Sequence, residues 1–303
     1  MIKVSVIMST YNQEVNVERC LWCWINQANI SPSEYEIVVI DDGSKDKTLE
    51  VILGIAGNNP QINWQVWQYQ GPKKWKIPVH ILNTGFQVAK GKVLIMAFDD
   101  RLVLPGTIAG LYSPHLENDK LVTGCHGYPL YKDPEKKIGF TNEVAQEEFL
   151  RSFYTTGWKD HIEQLGDWCS EMSAMEKAQG ENISELGIVA IKKEDWVAIR
   201  GWDEQFYAYG YWNLDILQRM KKSGLKVVLV DGLKWIHLWH IAYQGGKYGE
   251  SDYHGCYNTT KERAEEMLRI QKKRKDPTAA NEGKGTKWGL NEHDKKIFEW
   301  EVV

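Results

Sequence analysis

Apolar residues run unbroken through Val93-Leu-Ile-Met-Ala-Phe98, and two acids, Asp99 and Asp100, follow at once. An apolar run of strand length fits a strand covered on both faces, as in a parallel sheet. Two earlier runs share the form. Val4-Ser-Val-Ile-Met8 ends in Ser9-Thr10-Tyr11-Asn12, and Tyr35-Glu-Ile-Val-Val-Ile40 ends in Asp41-Asp42-Gly43-Ser44. Between them, Glu14 to Gln27 places Val17, Leu21, Trp24 and Ile25 on one helical face. Strand, helix, strand predicts a right-handed βαβ unit. Three strands thus deliver polar or acidic groups to their carboxyl ends, the edge where open α/β sheets bind ligands.

The second half is patterned more sparsely. Gly187-Ile-Val-Ala-Ile-Lys-Lys193 reads as a strand followed by a short helix. Residues 213 to 222 carry Leu214, Leu217 and Met220 at helical spacing, and Gly224 ends that helix. Lys226-Val-Val-Leu-Val230 reads as a strand, with His237 and His240 soon after it. Residues 140 to 185 read as helices, Gln244 to Gly249 as a flexible loop, and Thr259-Thr-Lys-Glu262 as a capping box opening a helix to a basic end at Lys275. The expectation is an α/β chain: a mixed, mostly parallel sheet flanked by helices, with a helical extension at the C-terminal end.

The acid pair carries the sharpest chemistry. Two carboxylates a few Å apart raise each other's pKa unless a cation relieves them. Hard oxygens suit Mg²⁺ or Mn²⁺ bridged to a diphosphate. The plain alternative is a strand-to-loop junction with two solvated acids. Asp41-Asp42-Gly43-Ser44 alone is equally compatible with a turn feeding a helix, capped by Ser44 or Asp46.

Thr10-Tyr11-Asn12, Asp41-Asp42-Gly43-Ser44, Asn83-Thr-Gly85 through Ala89-Lys-Gly91, and Phe98-Asp99-Asp100 occur in an order and spacing that resembles family 2 glycosyltransferases of the GT-A fold. Gly201-Trp202-Asp203-Glu204-Gln-Phe206 extends the likeness into the second half. The resemblance implies a UDP-sugar donor held by Thr10, Tyr11, Asn12, Asp41, Asp42, Asn83, Gly85 and Asp99, with Asp41 meeting uracil. It implies a Mn²⁺ or Mg²⁺ ion on Asp100, closed by His237 or, alternatively, His240. Residues 1–105 would bind the nucleotide-sugar, 106–245 would form the acceptor lobe of the same domain, and 246–303 a loop and helical tail. Inverting members carry Glu-Asp-x-Asp where this chain has Trp212-Asn213-Leu-Asp215, and an amide cannot accept a proton. Asn213, Asp215 and Arg219 resemble instead the retaining polypeptide N-acetylgalactosaminyltransferases, which implies retention. Asp215, Asp203 or Glu204 is the candidate base if the enzyme inverts. An Asp215 that only stabilises its helix start is the plain alternative.

Composition narrows the classes. A net charge of −4 over 303 residues implies no bulk attraction to nucleic acid or anionic lipid. The 14 Trp and 14 Tyr cluster near 64–75, 202–212 and 235–243, which suits stacking on a saccharide acceptor as well as core packing. Five cysteines, an odd number, argue against a complete disulfide set, and Cys20-Leu-Trp-Cys23 reads as helix packing. No apolar run is long enough to span a bilayer and no leader precedes the first strand, so a soluble, cytoplasmic protein is expected. Two other readings remain open: a nucleotidyltransferase, and a nucleotide-sugar-binding module without catalysis.

Overall fold

The computed structural model describes residues 1–72, 77–129, 187–207, 212–237, 280–281 and 288–302, together with 265, 268 and 269. Its elements are β1 (Val4–Thr10), α1 (Val17–Ile25), β2 (Tyr35–Asp41), α2 (Thr48–Asn58), β3 (Asn63–Tyr69), α3 (Val79–Val88) and β4 (Val93–Phe98). After these come β5 (Arg101–Val103), α4 (Thr107–Tyr112), β6 (Leu121–Pro129), β7 (Val189–Lys192) and α5 (Lys193–Ala198). The last are α6 (Trp212–Lys222), β8 (Lys226–His237) and β9 (Asp294–Trp300). The regions 140–185, 244–249 and 259–275, read as helices, loop and capped helix, lie outside the described residues save for 265, 268 and 269.

The strands form one sheet in the order β5-β8-β6-β7-β4-β1-β2-β3-β9. β4, β1, β2 and β3 are parallel, β7 runs against β4, and β9 runs against β3. β1, β2 and β4 are buried along their whole length, the condition their unbroken apolar runs anticipate. Alternation then decides which layer each residue joins. Val4, Val6 and Met8 pack with Val17, Leu21, Trp24 and Ile108 on one face. Ile7, Ile40 and Met96 pack with Phe86, Trp196 and Ile216 on the other. Each such side chain contributes about 1.5–3 kcal/mol of burial. The mid-helix Cys20 and Cys23 are buried free thiols. Burial pushes Cys23 up to about 12 and Cys20 well above its ordinary value, so both are neutral packing groups.

α3 lies close against the sheet. A Cβ on Gly85 would stand 2.3 Å from Ile7 Cγ2, so only glycine permits this approach. At the opposite end from the acids, Glu36 accepts from Ser5 Oγ (2.5 Å), Gln65 Nε2 (2.9 Å) and the Lys90 amide (2.5 Å). That buried network ties the turn after α3 to β1, β2 and β3.

Three elements depart from the sequence pattern. β3 was hidden in an aromatic cluster, because Trp64, Trp67 and Tyr69 mask its alternation. β8 does not stop at Val230; it continues to His237 alongside β6, with a register shift between Gly124 and His126 on that strand. Within the stretch expected as a helical tail, Asp294–Trp300 is a strand. Phe298 packs against the core while Lys295 and Lys296 stay outside, and pairing with the open edge of β3, across a register shift between Val66 and Trp67, overrides helix propensity.

The C-terminal segment is fastened by polar groups. Thr84 Oγ1 and the Asn291 amide donate to Asp294 Oδ2 at 3.2 and 2.8 Å. Burial, with Glu204 nearby, raises Asp294 from 3.8 to about 6; His293 and its two donors offset part of this. A carboxyl raised on folding binds its proton more tightly in the folded state. Its stabilisation is therefore complete below pH 3.8 and lost as pH rises through 6. Relative to the native chain, Asp294→Asn should gain roughly 1–3 kcal/mol in urea unfolding on going from pH 4 to pH 8. An unchanged difference across that range would contradict this assignment.

Candidate active site

Register builds the site. Thr10 pairs with Asp41 across β1 and β2, and Ser9 pairs with Phe98 across β1 and β4. The residues that follow, Tyr11, Asp42 and Asp99-Asp100, leave the sheet level with one another. The strand ends are then laced together. The Asp42 amide donates to Thr10 O at 2.9 Å, and the Tyr11 amide donates to Asp99 Oδ2 at 3.2 Å. Asn12, in the left-handed region at φ 52°, donates its amide to Ser44 Oγ and accepts from the Lys45 amide, both at 2.8 Å. The Gln13 amide donates to Thr48 Oγ1 at 2.7 Å. The loops after β1 and β2 therefore hold each other.

Electrostatically the edge is a crowd of carboxylates. Asp99 is 7% exposed. Burial first, and then the neighbouring Asp100, push its carboxyl up to about 8; the Thr10 hydroxyl and Tyr11 amide offset part of that. Asp41 is fully buried and is likewise raised by burial, offset by bonds from Ser44 and Gln68. Asp100 is more open, with a side-chain exposure of 17%, and the Arg101 Nε lies 3.5 Å from its Oδ1. The Arg101 guanidinium sits between the Phe98 and Trp235 rings, 4.0 and 4.5 Å from their centroids, and donates to Gly187 O at 2.6 Å.

The donor set fits a divalent cation: two adjoining hard carboxylates whose mutual repulsion already shows in the raised Asp99. No group of three His, Cys, Asp or Glu side chains able to hold a metal occurs among the described residues. β8 brings His237 opposite Arg101 in register, one residue from Asp100. His240 lies outside the described residues.

Other residues named from the sequence go elsewhere. Asn83 is buried on α3; its Nδ2 donates to Trp202 O (2.8 Å) and Glu204 Oε1 (3.0 Å), and its Oδ1 accepts from the Trp202 amide (3.0 Å). A Cβ on Gly201, at φ +59°, would stand 2.6 Å from that Oδ1. Asn83 and Gly85 thus lock α3 to its neighbours and share no bond with the acid edge. Glu204 also accepts from the Gly289 amide at 2.7 Å and lies 3.6 Å from His80 Nδ1. Asp203 accepts from the Gln205 amide at 3.0 Å. Asp215 is 2% exposed and bonds Arg219 Nε at 2.8 Å, while Arg219 donates to Ile199 O (2.7 Å) and Gly201 O (2.6 Å). Asp215, through Arg219, braces the turn after α5, Glu204 joins α3 to the segment near Gly289, and Asp203 closes its own turn at Gln205. Asn213 lies in the first turn of α6, half-buried.

Two residues at the edge were not singled out from the sequence, Gln68 and Arg101. Gln68 is the register partner of Asp41 on β3, so recognising β3 would have revealed it. Arg101 directly follows the acid pair, but its cage depends on Trp235, distant in the chain.

Comparison with known proteins gives these findings. Residues 5–169 match the model of glycosyl transferase family 2, and residues 172–241 match one described as the N-terminal domain of galactosyltransferase. A Methanococcus voltae dolichyl N-acetyl-alpha-D-glucosaminyl phosphate 3-beta-D-2,3-diacetamido-2,3-dideoxy-beta-D-glucuronosyltransferase is 27% identical over 160 residues, 50% of this chain and 44% of that protein. The S. aureus TarS structure in complex with UDP-GlcNAc aligns with a TM-score of 0.56 at 17% identity, over 89% of this chain and 65% of that one. The structure of GalNAc-T7 with UDP, GalNAc and Mn²⁺ aligns with a TM-score of 0.54 at 17% identity, over 86% of this chain and 48% of that one. Both structural likenesses concern the fold. The chain spans about half the length of the curated relatives it matches.

The buried Asp215–Arg219 pair separates a bracing role from a chemical one. Asp215→Ala leaves the buried Arg219 guanidinium without its carboxylate and should cost about 3–5 kcal/mol in denaturant unfolding. Native stability in that variant, with only turnover lost, would instead mark Asp215 as a catalytic base.

Proposed function

The chain belongs to glycosyl transferase family 2 and has the GT-A fold, and from that premise we propose that it is a divalent-metal-assisted glycosyltransferase. It moves a hexose or N-acetylhexosamine from a UDP-sugar to a hydroxyl acceptor, a saccharide being the first choice. The observation that carries the reading is the in-register convergence of Thr10, Asp41 and the Asp99-Asp100 pair on one sheet edge. The two aligned structures, TarS in complex with UDP-GlcNAc and GalNAc-T7 with UDP, GalNAc and Mn²⁺, support the donor and the ion.

In this reading the nucleobase lies toward the end of β2 and the diphosphate toward Asp100. Asp100 and Asp99 would hold the cation, and His237, the register partner of Arg101, is the further candidate ligand. A cation bound there supplies a Lewis acid to the departing diphosphate. The Tyr11 amide fixes Asp99, and caged Arg101 limits how far Asp100 can swing.

Transfer joins the acceptor oxygen to the anomeric carbon while the bond from that carbon to phosphate breaks. The acceptor proton needs a destination. Asp203, Glu204 and Asp215 are each engaged within the fold, which supports retention, with a phosphate oxygen of the leaving group taking the proton. The anomeric coupling constant of the product, read by NMR, checks this: donor configuration is expected, and the opposite anomer overturns retention.

A panel of nucleotide-sugars with Mn²⁺ tests the whole reading. Nucleoside diphosphate should be released from a UDP-sugar, stop with EDTA, and fall at least 100-fold in Asp100→Ala while the circular dichroism spectrum is unchanged. UDP binding without release from any sugar would favour a binding module, and EDTA-resistant release would remove the metal from the account.

A further inference from the structure

Arg101 belongs to none of the motifs that carry the family likeness, yet it sets a permanent charge beside the acid pair. A guanidinium stays protonated at every working pH. Its place is fixed by groups other than the acids. The Phe98 and Trp235 rings enclose it, and its Nη1 donates to Gly187 O. The cage is close-fitting: a Cβ on Gly187 would stand 2.2 Å from the Trp235 ring. Pairing of Arg101–Val103 with Trp235–His237 holds the Arg101 backbone and the Trp235 ring in one ribbon. The Arg101 Nε is buried, makes no hydrogen bond and lies 3.5 Å from Asp100 Oδ1. The charge acts on Asp100 through space, and the cage keeps it there whatever the carboxylate does.

We propose that Arg101 is a specificity-determining residue: its fixed charge makes the acid edge disfavour a bare divalent cation and accept the cation together with a diphosphate. The proposal rests on the UDP-sugar reading and deepens it. Two carboxylates alone attract any divalent cation. A third charge, positive and immovable, repels that cation and attracts a diphosphate by the same Coulomb law. A nucleoside diphosphate carries about three negative charges near neutral pH, so with Mn²⁺ it presents a net charge of about −1. Arg101 thus opposes the ion alone, favours the nucleotide alone, and changes little for the two together. Its side chain is only 13% exposed, so its field is screened less than that of a surface arginine.

Three binding constants test this on the full chain: Mn²⁺ alone by electron paramagnetic resonance, UDP alone in EDTA by calorimetry, and UDP on Mn²⁺-loaded protein. Arg101→Met keeps a side chain of similar reach between the rings and removes the charge; Arg101→Gln serves should the first not fold. The neutral variant is expected to bind Mn²⁺ about tenfold more tightly and metal-free UDP about tenfold more weakly. The product of the Mn²⁺ constant and the UDP constant on loaded protein should move less than about threefold, gain and loss cancelling. Arg101→Lys, which keeps the charge, should stay within about threefold of wild type in all three. A structural defect weakens both ligands, so opposite signs are the mark of the charge. Loss of both, unchanged binding of either ligand, or Arg101→Lys behaving like Arg101→Met overturns the proposal and leaves the donor reading standing. Wild type that binds UDP neither alone nor with Mn²⁺ fails the donor reading, and this inference with it.

Discussion

Parallel pairing of β4, β1 and β2 in fixed register is the constraint on which everything else depends. Because Thr10 stands opposite Asp41 and Ser9 opposite Phe98, the acids that end two strands arrive at one height beside a third strand's polar turn. A slip by one residue would turn Val4, Val6 and Met8 away from α1, so burial of the core enforces the alignment of the site. The crowded carboxylates are then a consequence of packing. Burial first, and the neighbouring Asp100 second, raise the Asp99 carboxyl, the electrostatic mark of two acids crowded at one edge.

The second half of the chain works differently. Its acids serve as braces: Asp215 holds Arg219 against the turn at Ile199–Gly201, and Glu204 joins α3 through Asn83 to the segment at Gly289. Trp196 packs between Phe86 and Trp288, with ring centroids 5.0 and 4.7 Å away, so one aromatic layer links α3, α5 and the C-terminal segment. β9 then completes the sheet on β3, whose Gln68 sits at the base end of the proposed donor site. The C-terminal strand thereby supports the site from behind, Lys295 pairing with Gln68 in register.

Much of this was legible in the sequence, for identifiable reasons. β1, β2 and β4 are buried on both faces, so their unbroken apolar runs announced them, and the polar residues after each run marked the edge. α1 and α6 were legible from helical spacing. β3 and β9 were not, since aromatic and charged residues alternate there in ways a lone strand cannot stabilise; they form because each gives the other a neighbour. Asn83, Glu204 and Asp215 sit at motif positions, and composition cannot distinguish a carboxylate facing substrate from one facing Arg219. That distinction lies in burial and partners, which only the folded chain displays.

The central claim is that the Asp99-Asp100 edge is a cation-assisted nucleotide site. The most direct test is anomalous diffraction at the manganese edge from crystals grown with UDP and Mn²⁺. The account predicts an anomalous peak bound to the Asp100 carboxylate, with the uracil toward the end of β2. An ordered UDP at this edge with no peak beside Asp100, or a peak and nucleotide at another part of the sheet, would contradict it.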